Sequence, residues 1–329
     1  MKKFINQVEL VEDQMIQGMV KAYPQYVRKL DCGNVVVRTE KKEGKVALIS
    51  GGGSGHEPAH GGYVGTGMLD AAVAGAVVTS PTPDQIYEGI KAIATDKGVL
   101  MDIKNYTGDV MNFEMAGEMA QMDDIKVAQV VVDDDVAVDG SLYTVGRRGV
   151  AGTVFVHKIA GAKAEEGAEL EEVQRVAQKV IDNVRTMGVA IRPCTVPAAG
   201  KPGFELGEDE MEVGIGIHGE PGTHKEPLRP ADEIVDHILD KILSDIDYTG
   251  HEVAVMVNSS GATPLMELFI INNHVADVLA AKGIKVYKTF VGEYMTSLEM
   301  EGFSVSLLRL DDELKALLDA HADTIAFKA

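Results

Sequence analysis

Apolar segments of strand length alternate with helical segments through the first half of the chain, and this alternation limits the possible folds more than any other feature. The apolar segments are KVALIS (45–50), LDAAVAGAVV (69–78), VLMDIKN (99–105) and IKVAQVVV (125–132). Between them, residues 82–98 and 111–122 have the patterns of helices. Strands that alternate with helices pair mostly in parallel, with the helices on the sheet faces. We therefore expect a mostly parallel sheet, with any ligand at the carboxyl ends of its strands.

A second α/β unit is predicted in the second half. A helical zone from about Gly149 to Arg185 precedes RPCTVPAAGKPGFEL (192–206), whose Pro and Gly residues indicate a boundary. Beyond it we predict helices at Ala231–Ser244 and Pro264–Ala281. The predicted strands there are MEVGIGIH (211–218), HEVAVMVN (251–258), GIKVYKTFVG (283–292) and FSVSLLRL (303–310). The predicted fold class is α/β, with two α/β domains at residues 1–187 and 188–329, each a mostly parallel or mixed sheet flanked by helices.

Charge and cysteine content exclude several classes of protein. The net charge of −20 disfavours nucleic acid, whose phosphates need Lys and Arg, and it disfavours anionic membrane surfaces. Two cysteines, Cys32 and Cys194, provide neither a disulfide framework nor a cysteine metal cage. The N-terminal sequence lacks an apolar run of signal-peptide length, and no stretch approaches the length of a membrane span. We therefore expect a cytoplasmic protein with no nucleic-acid or membrane partner.

The stretch ALISGGGSGHEPAH (47–60) runs from an apolar strand straight into glycines. A Walker-type phosphate loop needs Lys and a hydroxyl residue after its last glycine, and neither follows here. A dinucleotide fingerprint needs glycine at the position that His56 occupies. What remains is a turn of bare backbone at the end of a strand, where glycine lets a ligand approach Ser54 and His56. The alternative is a simple tight turn in which Ser54 is a cap.

The two histidines of HEPAH, His56 and His60, have the spacing of a zinc hydrolase motif. Such a pair binds one metal ion when a helix places both rings on one face. Pro58 and the pair Gly61-Gly62 leave barely one turn of helix. The sequence therefore disfavours a zinc site in this segment.

Three consecutive aspartates, Asp133–Asp135, precede an arginine pair, Arg147 and Arg148. The aspartates could suggest a divalent metal and the arginines a phosphate. Three consecutive side chains on an extended strand cannot all face one ion, because they alternate between its two faces. We therefore expect the arginines to pair with the aspartates, and we predict no metal site in the chain.

The segment IKNYTGD (103–109) follows another predicted strand. Lys104 lies at the carboxyl end of that strand and points to the same side as Asp102. Asp109 comes directly after a Thr-Gly turn. Lys104 and Asp109 are candidate site residues; alternatively, they form an exposed ion pair or Asp109 caps a helix.

His218 lies at the end of the predicted strand MEVGIGIH (211–218). Alternation along that strand would place the apolar side chains on one face, and Glu212, Gly214, Gly216 and His218 on the other. The two glycines would then leave room for a ligand beside the imidazole. The alternative is a histidine whose ring is satisfied by a nearby carbonyl.

Segments spread over essentially the whole chain resemble the K subunit, which is the substrate-binding subunit, of dihydroxyacetone kinases. They include LISGGGSGHEP (48–58), SPTPDQI (80–86), IKNYTGD (103–109), YTVGRRGVAGT (143–153), CTVPAAGKP (194–202), GIGIHGEPG (214–222) and TSLEMEGFS (296–304). The resemblance implies two α/β domains, a homodimer, and covalent capture of dihydroxyacetone as a hemiaminal on His218. It also implies a pocket around the ligand that is formed by Gly53, Ser54, Gly55, His56, Lys104 and Asp109.

The resemblance further implies a mechanism. A neutral nitrogen of His218 would attack the C2 carbonyl of dihydroxyacetone, so that glycerol, which has no carbonyl, is rejected by chemistry. Asp109 would accept the proton of a terminal hydroxyl as that oxygen attacks a phosphoryl group, with His56 as a second acid or base. Positioning and charge stabilisation would lower the rest of the barrier.

The expected partners follow from the same resemblance. The chain ends at Ala329 without a nucleotide-binding domain, which resembles the split bacterial enzyme of the phosphoenolpyruvate phosphotransferase system. In that form this chain carries no cofactor, while a separate L subunit holds ADP and Mg²⁺ and receives phosphate through an M subunit. The alternative is a non-catalytic dihydroxyacetone sensor that acts on a transcription regulator. A sensor would need His218 alone, so the additional presence of His56, Lys104 and Asp109 favours the kinase subunit.

Overall fold

A six-stranded sheet forms the centre of the first half of the protein. The computed structural model describes residues 2–139 and 144–329. The strands of this half are β1 (Val27–Lys29), β2 (Val35–Arg38), β3 (Ala47–Ser54), β4 (Gly65–Thr66), β5 (Ala71–Val77), β6 (Val99–Lys104) and β7 (Val127–Val132). The sheet has the order β1-β2-β5-β3-β6-β7, and β4 lies outside it. Because β3, β5, β6 and β7 run in parallel, the carboxyl ends of β3 and β6 lie side by side at one edge.

Helices cover both faces of this sheet. They are α1 (Val11–Ala22), α2 (Pro83–Ile93), α3 (Thr107–Met122), α4 (Thr153–Glu165) and α5 (Leu170–Asn183). Successive residues of β3 enter opposite cores: Leu48 packs in the cluster that holds α4 and α5, and Ile49 in the cluster that holds α2 and α3. Burial on both faces explains why this strand is continuously apolar instead of alternating.

The second half contains a mixed sheet of six strands. They are β8 (Val184–Arg192), β9 (Glu210–Val213), β10 (His224–Pro227), β11 (Glu252–Ser259), β12 (Lys285–Gly292) and β13 (Glu301–Leu310), in the order β10-β9-β8-β13-β11-β12. β11 pairs with β12 in parallel, and its pairing with β13 is antiparallel. Helices α6 (Ala231–Asp245) and α7 (Leu265–Ala281) pack on one face of this sheet.

The two halves share a hydrophobic core. Met256 and Leu308, from the face of the second sheet opposite α6 and α7, belong to the same cluster as Leu48 and Leu100 of the first sheet. Helix α8 (Asp312–Asp319) packs against α4, and the final strand β14 (Asp323–Thr324) pairs with β4. The end of the chain thus returns to the first half, and the loops of both halves are held in a fixed relation.

The predicted α/β class, with two sheets flanked by helices, is confirmed. Two local predictions are wrong. The glycines at 51–53 belong to β3, which continues to Ser54, so they do not form a turn. The predicted strand 211–218 ends at Val213, because Gly214 adopts a left-handed conformation with φ +69°. The helical zone predicted from about Gly149 to Arg185 is confirmed, and it consists of α4 and α5 with Gly167, at φ +83°, between them.

The predicted domain boundary falls between residues 187 and 188, within β8. All of β8 pairs in the second sheet, whereas α5, which precedes it, packs on the first. The division of the chain into domains at that point stays a prediction. Of the helices in residues 2–139 and 144–329, none combines the length and the apolar character that crossing a bilayer requires.

Candidate active site

The glycines of β3 bring bare backbone against a charged side chain. A Cβ atom at Gly52 would lie 2.7 Å from Lys104 Nζ and 3.4 Å from Asp109 Oδ2. A Cβ atom at Gly53 would lie 2.4 Å from the backbone nitrogen of Thr79. Real Cβ atoms do not make such short contacts, so any side chain at Gly52 would displace the ammonium of Lys104. Gly52 is therefore required for β3 to lie beside Lys104 and Asp109, and Gly53 is required for it to lie beside the backbone at Thr79.

Lys104 ends β6 and is fully buried, at 0% exposure. Its Nζ lies 2.9 Å from His60 Nε2 and 3.4 Å from the carbonyl oxygen of Gly51. Burial lowers the pKa of Lys104, while the charges of Asp109 and Asp102 oppose that shift. An exposed ion pair, one of the sequence-based alternatives, is thereby excluded.

Asp109 lies in the first turn of α3 and is 1% exposed. Its Oδ1 accepts a hydrogen bond from Ser80 Oγ. Burial raises the pKa of Asp109, while Lys104 and the Ser80 hydrogen bond counteract that shift. A carboxylate with a raised pKa is a better proton acceptor than an exposed one, which is the property of a general base.

His56 follows β3 with its ring completely buried. Its Nδ1 lies 2.8 Å from the carbonyl oxygen of Thr296, and because a carbonyl can only accept, Nδ1 carries the proton. Nε2 is therefore a lone-pair acceptor, and it has no hydrogen-bond partner among the described residues. Burial, reinforced by the charge of Lys104, lowers the pKa of His56 to about 3. A neutral base thus presents an unused lone pair inside the protein.

His218 lies in the loop after β9 and meets the ring of His56 edge-on, with centroids 5.0 Å apart. The ring of Tyr106 also meets the His218 imidazole edge-on, with ring centroids 4.1 Å apart. The buried hydroxyl of Tyr106 lacks a hydrogen-bond partner among the described residues. Burial lowers the pKa of His218 well below its usual value, and interactions with His56, Lys104 and Arg148 lower it further. The His218 ring is therefore neutral. Both rings in contact with it carry a polar atom without a partner among the described residues: Nε2 of His56 and the hydroxyl of Tyr106.

Arg148 fixes the loop that carries His218. Its guanidinium donates to Asp135 Oδ2 at 2.7 Å, to Glu220 Oε1 at 3.2 Å and to the carbonyl oxygen of Gly214 at 2.7 Å. Glu220 in turn accepts the backbone N–H of His218 at 2.9 Å. This loop, and not the alternation of a strand as predicted, brings His218 to the site.

The predicted pairing of arginines with the aspartates at 133–135 is confirmed for Arg148 and Asp135. It is wrong for Arg147, whose strongest contact is a two-pronged pair with Asp245 of α6, at 2.6 and 2.9 Å. Asp134 instead accepts the backbone N–H groups of Val150 and Gly152. Burial raises the pKa of Asp134 to about 6.

The predicted site residues therefore fall into one region, with different roles in the fold. Lys104, Asp109, His56 and His218 converge, and Gly53 and Ser54 belong to the neighbouring strand. Ser54 Oγ donates to the carbonyl oxygen of Gly75, so its hydroxyl is engaged in holding β3 against β5. Gly55 N–H donates to the carboxylate of Glu57. What these residues do with a ligand stays a prediction.

Sequence reasoning missed Tyr106, Glu220, His157 and the actual position of His60. The sequence pattern indicates His60 only as a zinc ligand, and the segment that carries it is not helical. Within residues 2–139 and 144–329, no cluster of three or more His, Cys, Asp or Glu side chains could hold a metal ion. His60 instead contacts Lys104 and His157, a contact that no local sequence pattern indicates.

A two-sheet α/β protein with neutral histidines, a buried lysine and a buried aspartate in one region has the features of an enzyme or a binding protein for a small polar molecule. The chain belongs to the Dak1 domain family, whose model matches residues 17–326. The dihydroxyacetone-binding subunit DhaK of a PTS-dependent dihydroxyacetone kinase from Listeria innocua is 56% identical over 329 residues, which is 99% of this chain and 100% of that protein. The corresponding subunit from Lactococcus lactis is 51% identical over 313 residues, covering 95% of this chain and 94% of that one.

Solved structures agree with this assignment. The dihydroxyacetone kinase of C. freundii superimposes with a TM-score of 0.93 at 35% identity, over 99% of this chain and 60% of that chain. The dihydroxyacetone kinase operon co-activator Dha-DhaQ superimposes with a TM-score of 0.90 at 36% identity, over 95% of this chain and 97% of that chain. The same fold therefore occurs in a kinase and in a regulatory protein.

Proposed function

We propose that this chain is the dihydroxyacetone-binding subunit of a phosphotransferase-system-dependent dihydroxyacetone kinase. The observation that carries the proposal is the meeting of His218 with His56, whose Nε2 is buried and unpartnered among the described residues, beside a buried lysine and aspartate. The 56% identity to the Listeria innocua subunit supports the same conclusion. A small polyol with a carbonyl group would supply partners for the unpaired polar atoms.

In the proposed capture step, a lone pair of the neutral His218 ring attacks C2 of dihydroxyacetone. A C–N bond forms as the carbonyl π bond breaks, the oxygen gains a proton, and the other ring nitrogen loses one, so the adduct is neutral. The depressed pKa of His218 keeps the lone pair free at neutral pH. Covalent attachment also compensates for the few atoms through which a three-carbon ligand can gain affinity.

In the proposed transfer step, Asp109 takes the proton of a terminal hydroxyl while that oxygen attacks the phosphoryl group. His56 is the second acid or base, because its Nε2 is free to accept a hydrogen bond. Lys104 contributes positive charge beside the reacting groups. We also propose that Gly53, Ser54 and Gly55 contact the ligand, because the glycines let the ligand come close to the backbone.

The phosphoryl donor is proposed to come from a partner. The sequence contains no Walker-type motif. We propose that a separate L subunit holds ADP with Mg²⁺ and receives phosphate through an M subunit from phosphoenolpyruvate, with dihydroxyacetone phosphate as the product. A homodimer of this chain is part of the same proposal, and the exposed apolar residues of α7 are its candidate interface.

A second candidate function is a dihydroxyacetone sensor that acts on a transcription regulator. The TM-score of 0.90 with the co-activator Dha-DhaQ favours it. The presence of buried Lys104 and Asp109 favours the kinase subunit, because a sensor has no need of a base for phosphoryl transfer.

A reconstituted assay distinguishes the two functions. The chain is mixed with cognate L and M subunits, the general phosphotransferase proteins, phosphoenolpyruvate and dihydroxyacetone, and the product is followed by its NADH-linked reduction. We expect dihydroxyacetone phosphate to form only when this chain is present. Ligand binding without product, in a mixture that a known K subunit activates, would establish the sensor instead.

A further inference from the structure

Four buried side chains, Lys104, His60, His157 and Asp102, form a continuous hydrogen-bonded line. Lys104 Nζ lies 2.9 Å from His60 Nε2, and His60 Nδ1 lies 2.9 Å from His157 Nε2. His157 Nδ1 lies 2.5 Å from Asp102 Oδ2. Lys104, His157 and Asp102 are 0% exposed, and His60 is 6% exposed. Lys104 and Asp102 both lie on β6, whereas His60 lies in the segment after β3 and His157 lies on α4.

The chemistry of the donors gives the line a direction. A protonated Lys104 can only donate, so His60 accepts at Nε2 and carries its own proton on Nδ1. His60 then donates to His157 Nε2, and His157 donates from Nδ1 to the carboxylate of Asp102. Ser50 agrees with this arrangement: its hydroxyl donates to the carbonyl oxygen of Asp102 at 2.6 Å, so its lone pairs can face His60 Nδ1 at 3.4 Å. Both imidazoles are neutral, between a cation and an anion.

The same heavy-atom contacts permit a second arrangement of protons. If each of the three protons moves across its own hydrogen bond, Lys104 becomes a neutral amine, both rings stay neutral with their tautomers reversed, and Asp102 becomes a neutral acid. No other reactant is needed, and the net result is one proton moved from Lys104 to Asp102. Asp102 Oδ1 is buried without a partner among the described residues, which limits the stabilisation of the Asp102 anion.

We propose that Asp102, acting through His157 and His60, sets the charge of Lys104, so that these three are positioning residues for the reaction. The role in turnover rests on the proposed kinase function. Lys104 has a nearby carboxylate in Asp109, which loses its negative charge when it accepts the substrate proton. A buried cation without a counter-ion is costly. The line provides a second counter-ion in Asp102 and a route by which Lys104 can release its proton as Asp109 becomes protonated.

The charge of Lys104 is also subject to other groups, which the test must hold constant. Outside the line, His56 faces Lys104 from the segment after β3, and Asp109 faces it from α3. His218 faces it from the loop after β9. Asp102→Asn changes only the far end of the line, and its amide oxygen still accepts the His157 hydrogen bond without being able to take up a proton.

The experiment measures the titration of Lys104 by NMR in the full chain with ¹³C-labelled lysine, with the signal assigned by its absence in Lys104→Met. We expect Asp102→Asn to lower the midpoint by about one pH unit, because an opposite charge is lost. Lys158→Met is the matched control, since it removes a buried cation next to His157 on α4 without touching the line. An unchanged midpoint in Asp102→Asn overturns the proposal.

Two further measurements separate charge control from a merely structural role. ¹⁵N-labelled histidine should show both His60 and His157 neutral and protonated at Nδ1, and a proton on Nε2 of His60 in the protein with charged Lys104 would refute the line. In the reconstituted kinase, Asp102→Asn should lower kcat about tenfold with KM nearly unchanged, and shift the alkaline limb of the pH profile downward. The NMR measurements need no turnover, so a failure of the kinase function is distinguishable from a failure of this proposal.

Discussion

The imidazole of His56 meets the ring of His218 edge-on, with centroids 5.0 Å apart and an angle of 76° between the ring planes. His56 follows β3 of the first sheet, and His218 lies in the loop after β9 of the second. The pair therefore exists only when the two halves pack against their shared core. Both rings are neutral because their pKa values are lowered, and burial is the main cause of the lowering in each. The fold thus creates two imidazole lone pairs that remain available well below the ordinary pKa of histidine.

We predict that His218→Ala abolishes the covalent adduct with dihydroxyacetone. The imidazole is the nucleophile in the proposed capture step, and alanine has no lone pair to replace it. Native mass spectrometry of the wild-type protein with excess ligand should show the added mass of one dihydroxyacetone per chain. His224→Ala is the control, because that histidine is exposed on β10. An adduct that persists in His218→Ala would place the attachment on another residue.

We predict that Asp109→Asn retains the adduct but loses turnover by about 10²–10⁴-fold, the usual contribution of a general base. Asparagine preserves the shape of the side chain and can still accept the Ser80 hydrogen bond, but it cannot accept the substrate proton. Adduct formation is read by mass spectrometry and turnover in the reconstituted assay. Asp123→Asn, just beyond the other end of α3, should behave as wild type. Wild-type turnover in Asp109→Asn would exclude Asp109 as the base.

The parallel part of the first sheet and the meeting of its candidate residues were predictable from the sequence. Apolar runs separated by helical segments require parallel pairing, and parallel pairing places the ends of β3 and β6 together. That reasoning brings Gly52 next to Lys104, as the structure does. The position of Asp109 at the start of α3 follows from its place just after the strand.

The rest of the site depends on contacts between distant segments, for which a single sequence gives little information. His157 lies within the apolar run TVFVHKIA of α4. A polar residue in such a run indicates that its side chain has a hydrogen-bond partner, but not which residue that partner is. Its partner Asp102 is 55 residues away on β6. The path of His218 was mispredicted because glycine is compatible with both an extended strand and the left-handed conformation that ends β9 at Gly214.

We predict that His56 makes the folded protein less stable as the pH falls below about 6.5. Its pKa is about 3 in the folded protein, and an exposed histidine in the unfolded chain titrates near 6.5. Between these values the unfolded state binds a proton that the folded state does not, so stability is lost as the pH decreases. The loss from this group is about 1.4 kcal/mol per pH unit.

The comparison of wild type with His56→Gln reports this effect, since buried groups that do not interact with His56, such as Asp134, titrate equally in both proteins. Denaturant unfolding at several pH values between 7 and 4 gives the difference in free energy of unfolding. That difference should move steadily in favour of His56→Gln as the pH decreases. A difference that does not change with pH would mean that the His56 ring is accessible to protons in the folded protein.

We predict that Gly52→Ala displaces Lys104 and reduces kinase activity. A Cβ atom would lie 2.7 Å from Nζ, and Gly52 has φ +156°, so the backbone is strained as well. Gly44→Ala is the matched control, because Gly44 has φ +72° and its Cβ would meet no atom within 4 Å. We expect Gly44→Ala to cost about 1–2 kcal/mol of stability through strain alone and to retain turnover. Equal turnover in the two variants would contradict the role assigned to Gly52.

We predict that Phe269→Glu converts a dimer of this chain into a monomer. One stretch of α7 exposes four large apolar side chains, Leu265, Met266, Phe269 and Ile270, each at least 50% accessible. Apolar clusters of this kind mark interaction surfaces, and a twofold axis through α7 would bury each copy against the same residues of the other. A carboxylate at position 269 would be buried without a partner in such an interface. Sedimentation equilibrium should give twice the chain mass for wild type and for the control Met122→Glu, whose residue is 83% exposed on α3, and the chain mass for Phe269→Glu. A dimeric Phe269→Glu protein would place the interface elsewhere.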